Sequence, residues 1–194
     1  MLVGMPRRRS LCTVFALIVA CAGCDVLPEA GRRPDVDDDG AEGGALGAFD
    51  QALLDAHNAT RATASPTPSP ALSPLTWSTS LASTAQDWAE RCVFEHSDGD
   101  LGENLAVFSP RDIDASTGTE VVELWASERA DYTLSSNSCA AGAQCGHYTQ
   151  LVWRDTERVG CGVATCDDIA GFGPGTLWVC NYDPAGNYIG EKPY

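Results

Sequence analysis

The chain has 194 residues, enough for one ordinary domain with appendages, and a formal net charge of −15. With 12 basic against 27 acidic residues it has no basic patch with which to hold nucleic acid. Nine cysteines are more than a cytosolic protein usually keeps reduced, and they point to an oxidising compartment.

Residues 1–20 read as an export signal of the lipoprotein type. Arg7-Arg8-Arg9 is a positive start, and the apolar run from Leu11 to Ala20 is too short to span a bilayer comfortably. It ends in Leu17-Ile18-Val19-Ala20-Cys21, then Ala22-Gly23-Cys24. This resembles a bacterial lipobox. Cys21 has the better upstream residues and is the expected lipidation site, although Cys24 has the better immediate pair. Cleavage before Cys21 deletes three arginines and no acid, so −15 becomes −18. Cys21 and Cys24 also have the spacing of half a zinc site, but no second pair matches it. Residues 21–47 are an acidic, disordered tether in this reading, rich in Asp, Gly, Glu and Pro from residue 25 onward. Asp35 to Gly40 mimics the start of a calcium loop, yet Leu46 stands where such a loop needs a bidentate glutamate.

Ordered sequence begins near Ala48. Phe49, Leu53 and Ala56 at helical spacing predict a helix over 48–62, ended by the run Ser65-Pro66-Thr67-Pro68-Ser69-Pro70. A second helix follows Trp77, with Leu81, Ala85, Trp88 and Cys92 as one apolar stripe that places Cys92 inside. His96 and the turn Ser97-Asp98-Gly99-Asp100 then lead to Gly102-Glu103-Asn104. Thr117-x-x-Glu120 has the pattern of a capping box and signals a third helix. Val121, Leu124 and Trp125 form its stripe, Glu128 is the next position on that stripe, and Glu123 points elsewhere. A carboxylate on a buried face is costly unless paired, so Glu128 calls for a partner such as an imidazole, or for hydrogen bonds at a helix end. Alternation over 147–153 predicts a strand, Arg154 to Glu157 a polar turn, and 159–164 an antiparallel return. The last strand covers 176–182, and an ordered tail runs to Tyr194.

Six ordered segments carry a family resemblance. They are Leu53-Leu54-Asp55-Ala56-His57-Asn58 with Arg61, Ser73-Pro74-Leu75-Thr76-Trp77, His96-Ser97 with Gly102-Glu103-Asn104-Leu105, and Trp125-Ala126-Ser127-Glu128. Gly146-His147-Tyr148-Thr149-Gln150-Leu151-Val152-Trp153 and Cys180-Asn181-Tyr182-Asp183-Pro184 complete the set. From about Phe49 to Tyr194 the chain resembles the CAP superfamily of cysteine-rich secretory proteins, antigen 5 and plant pathogenesis-related class 1 proteins. The plant branch is the nearest in feel, down to the closing Gly186 to Tyr194. The lipobox, the acidic tether and the Pro/Ser/Thr run at 65–70 depart from the pattern and bear on location and loop shape.

The fold this resemblance implies is α+β, a disulfide-stabilised α-β-α sandwich with a small antiparallel sheet between helical layers, over residues 48–194. The six cysteines of the domain allow fifteen pairings. Similarity to the plant branch implies Cys92–Cys166, Cys139–Cys145 and Cys161–Cys180, and the short loop between Cys139 and Cys145 is reasonable on sequence alone. The resemblance also implies a cleft tetrad of His96, Glu103, Glu128 and His147, with His57 as a structural hydrogen-bonding residue. Two imidazoles facing two carboxylates suit either a divalent metal such as zinc, held weakly by His96 and His147, or a metal-free polar cluster. The expected function is a non-enzymatic, monomeric binding module of the bacterial envelope, secreted and lipid-anchored, with a lipid, sterol or protein ligand. One alternative is a hydrolase in which His96 or His147 activates Ser97 or Thr149, without any nucleophile-elbow or His-Glu-x-x-His motif. Another is a structural or adhesive domain. A plant signalling peptide is cut from the matching C-terminus, so 184–194 is read as a packed tail or a releasable segment, the packed tail being preferred for its turn residues Gly186, Gly190 and Pro193.

Overall fold

The computed structural model describes residues 45–194, so the export signal, Cys21, Cys24, the calcium-like run and most of the tether lie outside the described residues. Its centre is a hairpin of β5 (Arg158–Cys166) and β6 (Gly175–Asp183), in register at Cys161 opposite Cys180. The edge strand β2 (Gly102–Phe108) pairs antiparallel with β6, and β1 (Thr76–Trp77) adds two parallel residues on β5. The sheet order is β1-β5-β6-β2. The expected sheet is therefore antiparallel apart from β1.

Each strand sends alternate residues to opposite faces. Val159, Cys161, Val163, Trp178, Cys180 and Tyr182 face α1 (Ala48–Ala62), α3 (Ala115–Ser127) and α4 (Gly146–Leu151). Ala164, Cys166, Leu177 and Val179 face α2 (Thr79–Ala89). On that second face α2 lies directly on the strand. A Cβ on Gly160 would fall 2.2 Å from the Ala82 nitrogen, and one on Gly162 would fall 2.3 Å from that of Gln86. The Gln86 side chain donates to the Val163 carbonyl at 3.0 Å and accepts from its N–H at 3.1 Å. On β2, the Trp125 indole donates to the Leu105 carbonyl at 3.2 Å. The domain is thus an α-β-α sandwich, and all three expected disulfides are present.

α1 has its predicted limits. Its buried stripe is Phe49, Leu53, His57 and Arg61, one residue every four, so two polar side chains share the apolar face. Four other expectations need correction. α2 ends at Ala89, and Cys92 lies past it at φ 55°, half-buried and joined to Cys166. The cap of α3 is three residues earlier than the Thr117-x-x-Glu120 pattern places it. Asp114 accepts the Thr117 N–H while Thr117 Oγ1 accepts the Asp114 N–H. Leu124 is 48% exposed, the inner positions being Val121, Val122 and Trp125.

The fourth correction concerns 147–153, predicted as a strand but folded as helix α4 followed by Val152 and Trp153. Tyr148, Thr149, Gln150, Leu151, Val152 and Trp153 are all buried. With no solvent face, apolar and polar residues alternate without reporting a period of two. Charged side chains from elsewhere hold the helix ends, as described below. Its expected partner 159–164 pairs instead with β6. A short hairpin of β3 (Tyr132–Thr133) and β4 (Ser138–Cys139) precedes α4.

Candidate functional site

His96 lies in the loop after α2, six residues before β2 begins. Its Nδ1 meets Glu103 Oε1 at 2.8 Å. The same carboxylate accepts the Ser97 N–H at 2.9 Å and the Ser97 hydroxyl at 2.6 Å. His96 is open and Glu103 enclosed, with side chains 66% and 5% exposed. The hydrogen bond to Glu103 raises the His96 pKa, against a smaller effect of burial. Burial pushes the Glu103 carboxyl upward, but the bonds from His96 and Ser97 outweigh it and hold the pKa below the ordinary value.

His147 is the second residue of α4, and its Nδ1 meets Glu128 Oε1 at 2.5 Å. Glu128 is the residue at which α3 gives way to one turn of 3₁₀ helix. Its other oxygen accepts the backbone N–H of His147 at 3.0 Å and of Tyr148 at 3.2 Å. Glu128 therefore supplies, from another element, the anion that the exposed amides of a helix start favour. The His147 ring stacks on Trp125 with centroids 6.0 Å apart and planes at 22°. Sequence logic asked for an imidazole partner to Glu128, and His147 is that partner.

β2 ties the two pairs together. Glu103 and Asn104 are successive residues and leave the strand on opposite faces. Glu103 holds His96, while Asn104 Nδ2 donates to the His147 carbonyl at 3.2 Å and to the Tyr182 hydroxyl at 3.1 Å. That hydroxyl donates to His57 Nε2 at 2.9 Å, and His57 Nδ1–H donates to the Leu53 carbonyl at 2.7 Å. Burial lowers the His57 pKa to about 4, so the ring is neutral and structural, as expected. The His57 ring nitrogens and the Cys161 and Cys180 sulfurs lie close together, but both sulfurs are spent in a disulfide. No three members of the tetrad bring ligand atoms within 4.8 Å of one another.

Neither candidate nucleophile addresses a histidine. The Ser97 hydroxyl goes to Glu103, and Thr149 Oγ1 is shared among the Cys145 and Gly146 carbonyls and Asn187 Oδ1. The model of the cysteine-rich secretory protein family matches residues 54–182, which take in all four tetrad residues and every cysteine of the domain. The chain belongs to the CAP family.

Pathogenesis-related protein 1A of Nicotiana tabacum is 44% identical to this CAP domain over 148 residues, covering 74% of the chain and 80% of that protein. Human peptidase inhibitor 16 is 40% identical over 146 residues, covering 73% of the chain but 31% of that protein. Among solved structures, that of NaASP2 with Zn2+ superposes with a TM-score of 0.63 at 26% identity, covering 79% of this chain and 88% of the other. The three disulfides put this CAP domain in an oxidising compartment outside the cytoplasm.

The sequence reading missed Asn104, Trp125 and Arg61 as supports of the site. Arg61 is 2% exposed and donates to the carbonyls of Ser73, Leu151, Trp153 and Thr156 at 2.8, 3.0, 2.8 and 3.4 Å. α4 thus has a carboxylate at its start and a guanidinium at its end, both favourable to the helix dipole. Burial, and next the charge of Arg154, lower the Arg61 pKa to about 10. Its position four residues beyond His57 on the inner stripe is the sequence signal that would have marked it.

Proposed function

We propose that this CAP domain is a non-enzymatic binding module whose His96 and His147 take a divalent cation such as zinc weakly through Nε2. One observation carries the reading: each ring has its Nδ1 on a carboxylate, which fixes the tautomer with Nε2 as the free lone pair. The donor chemistry fits a metal, since a neutral imidazole backed by a carboxylate is a common zinc ligand arrangement. Two nitrogens fall short of the three or four ligands of a dedicated site, so the affinity is low. The solved relative with Zn2+ supports the choice of probe. Glu103 and Glu128 orient the rings, and the cation serves to organise a lipid, sterol or protein ligand at the same surface. Zinc titrated calorimetrically into wild type and the His96→Ala/His147→Ala double variant tests this. The expected result is a weak isotherm in wild type alone, lost as the imidazoles protonate at acid pH. Identical isotherms sink the metal reading and leave two hydrogen-bonded structural pairs.

The same proposal places the domain on a bacterial envelope membrane through a lipid on Cys21. Detergent-phase partition of the mature protein, abolished by Cys21→Ser and kept in Cys24→Ser, is the expected outcome. Release of unlipidated wild type into the medium counts against it.

A further inference from the structure

A cleft of about 330 Å³ opens between the β3–β4 hairpin, the start of α4 and the C-terminal tail. It is at the small end of ligand sites, which run from about 300 to 1,000 Å³, so it suits a compact group rather than a folded partner. Tyr132, Trp153 and Tyr188 line it, and Glu191 is the one charged lining residue. The Trp153 and Tyr188 rings lie 6.0 Å apart with planes at 58°, a corner rather than a stack. Trp153 is buried while Tyr188 is 55% exposed, which gives the corner one fixed wall and one open wall.

The polar lining groups are already engaged. Asn187, at φ 60°, accepts from Thr149 Oγ1 at 2.7 Å and donates to the Gly146 carbonyl at 2.8 Å. Asn137 accepts from the Tyr132 hydroxyl at 2.7 Å and donates to the Glu191 carbonyl at 2.8 Å. These bonds hold the tail in place as a wall, and they leave little for a ligand that needs many directed hydrogen bonds. Arg129, Arg154 and Lys192 donate to the carbonyls of Thr63, Pro70 and Ser135, and none of the three lines the cleft.

We propose that this cleft binds a quaternary ammonium group. Such a group donates and accepts no ordinary hydrogen bond, is attracted to the negative faces of aromatic rings, and finds one carboxylate and no cation in the lining. The net charge of −15 raises the local concentration of any small cation around the chain. None of the four histidine-pair residues lines the cleft, and choline binding there needs no metal.

The test is an NMR titration of the full chain with choline and with its neutral carbon isostere, 3,3-dimethylbutan-1-ol, following the Trp153 and Tyr188 ring signals. Choline should shift both signals saturably, with the isostere about tenfold weaker, the worth of one cation–ring contact. Tyr188→Ala should weaken choline by a similar factor. Glu191→Gln, which keeps the main-chain carbonyl that Asn137 uses, should weaken it by about two- to fivefold. Choline should bind with the same affinity in a metal chelator and with added zinc, so a failed zinc titration does not bear on this result. Phosphocholine binding as well as choline marks a headgroup as the natural ligand, and choline alone marks the free ion. Equal binding of choline and isostere, unsaturable shifts, or full affinity in both Tyr188→Ala and Glu191→Gln overturns the proposal.

Discussion

His96 and His147 each rest on a glutamate through Nδ1, yet the two pairs occupy opposite kinds of place in the fold. The His96 pair joins an open ring to an enclosed carboxylate across a loop, 66% against 5% exposed. The His147 pair is semi-enclosed on both sides, 24% and 16%, and its carboxylate doubles as the anchor for the start of a helix. In the first pair the glutamate is enclosed and the histidine stands open to solvent. In the second, ring, carboxylate, Trp125 and helix start hold one another. The same two residue types thus provide one open ring and one enclosed ring.

The strongest way to break the comparison is to remove the tail. Truncation after Asp183 deletes Asn187 on Thr149 and Gly146, the Pro193 carbonyl that accepts the Arg154 N–H at 2.7 Å, and Tyr188 on Trp153. These brace α4 and the residues just after it, and none touches the His96 loop. The expected loss is about 4 kcal/mol, or about 10 °C in melting temperature. The His147 ring signals should broaden while those of His96 stay sharp. A truncated domain as stable as the parent favours the releasable-segment reading of 184–194.

A smaller effect separates the glutamates. Glu128→Ala removes the imidazole partner and two helix-start acceptor bonds, and should cost about 3 kcal/mol by denaturant titration. Glu103→Ala releases a loop that relaxes into water, and should cost about half as much. Equal losses would mean that holding the start of α4 adds nothing.

The smallest effect is the pH dependence of the open pair. His96 has a raised pKa in the folded state, so its contribution is complete below the unfolded value of about 6.5 and fades as pH rises through the folded value. Glu103 has a lowered pKa, so its contribution is present above about 4.3 and is lost as pH falls through its folded value. The stability difference between wild type and His96→Ala should therefore peak between about pH 4.5 and 6.5 and shrink toward pH 8. A difference that grows above pH 7 contradicts the pairing.

The residues of the site were legible in the sequence and the element carrying His147 was not. α1 announces itself by a burial period of four and β6, buried on both faces, by a short run of strand-favouring residues, and the family resemblance supplies the tetrad residue by residue. α4 is stabilised from outside by Glu128 and Arg61, which lie 19 and 90 residues away from His147 and Leu151. No local window contains that information. β2 went unread for a related reason: Glu103 and Asn104 look like loop residues until their partners on either face are known. The α3 cap was misplaced because Thr117-x-x-Glu120 has the right spacing, while the pairing of Asp114 with Thr117 uses a threonine where the usual pattern has a glutamate or glutamine.

The amide of Gln86 on Val163 and the indole of Trp125 on Leu105 occupy main-chain groups on the stretch of β5 that the two-residue β1 leaves uncovered and on the edge strand β2. An open sheet edge recruits strands from other chains. These two side chains cover part of the sheet's edges, and the indole among them also carries the His147 ring. Replacing Trp125 would therefore unblock an edge and unseat a histidine together, so loss of ligand binding in such a variant has to be separated from strand pairing between chains before either is interpreted.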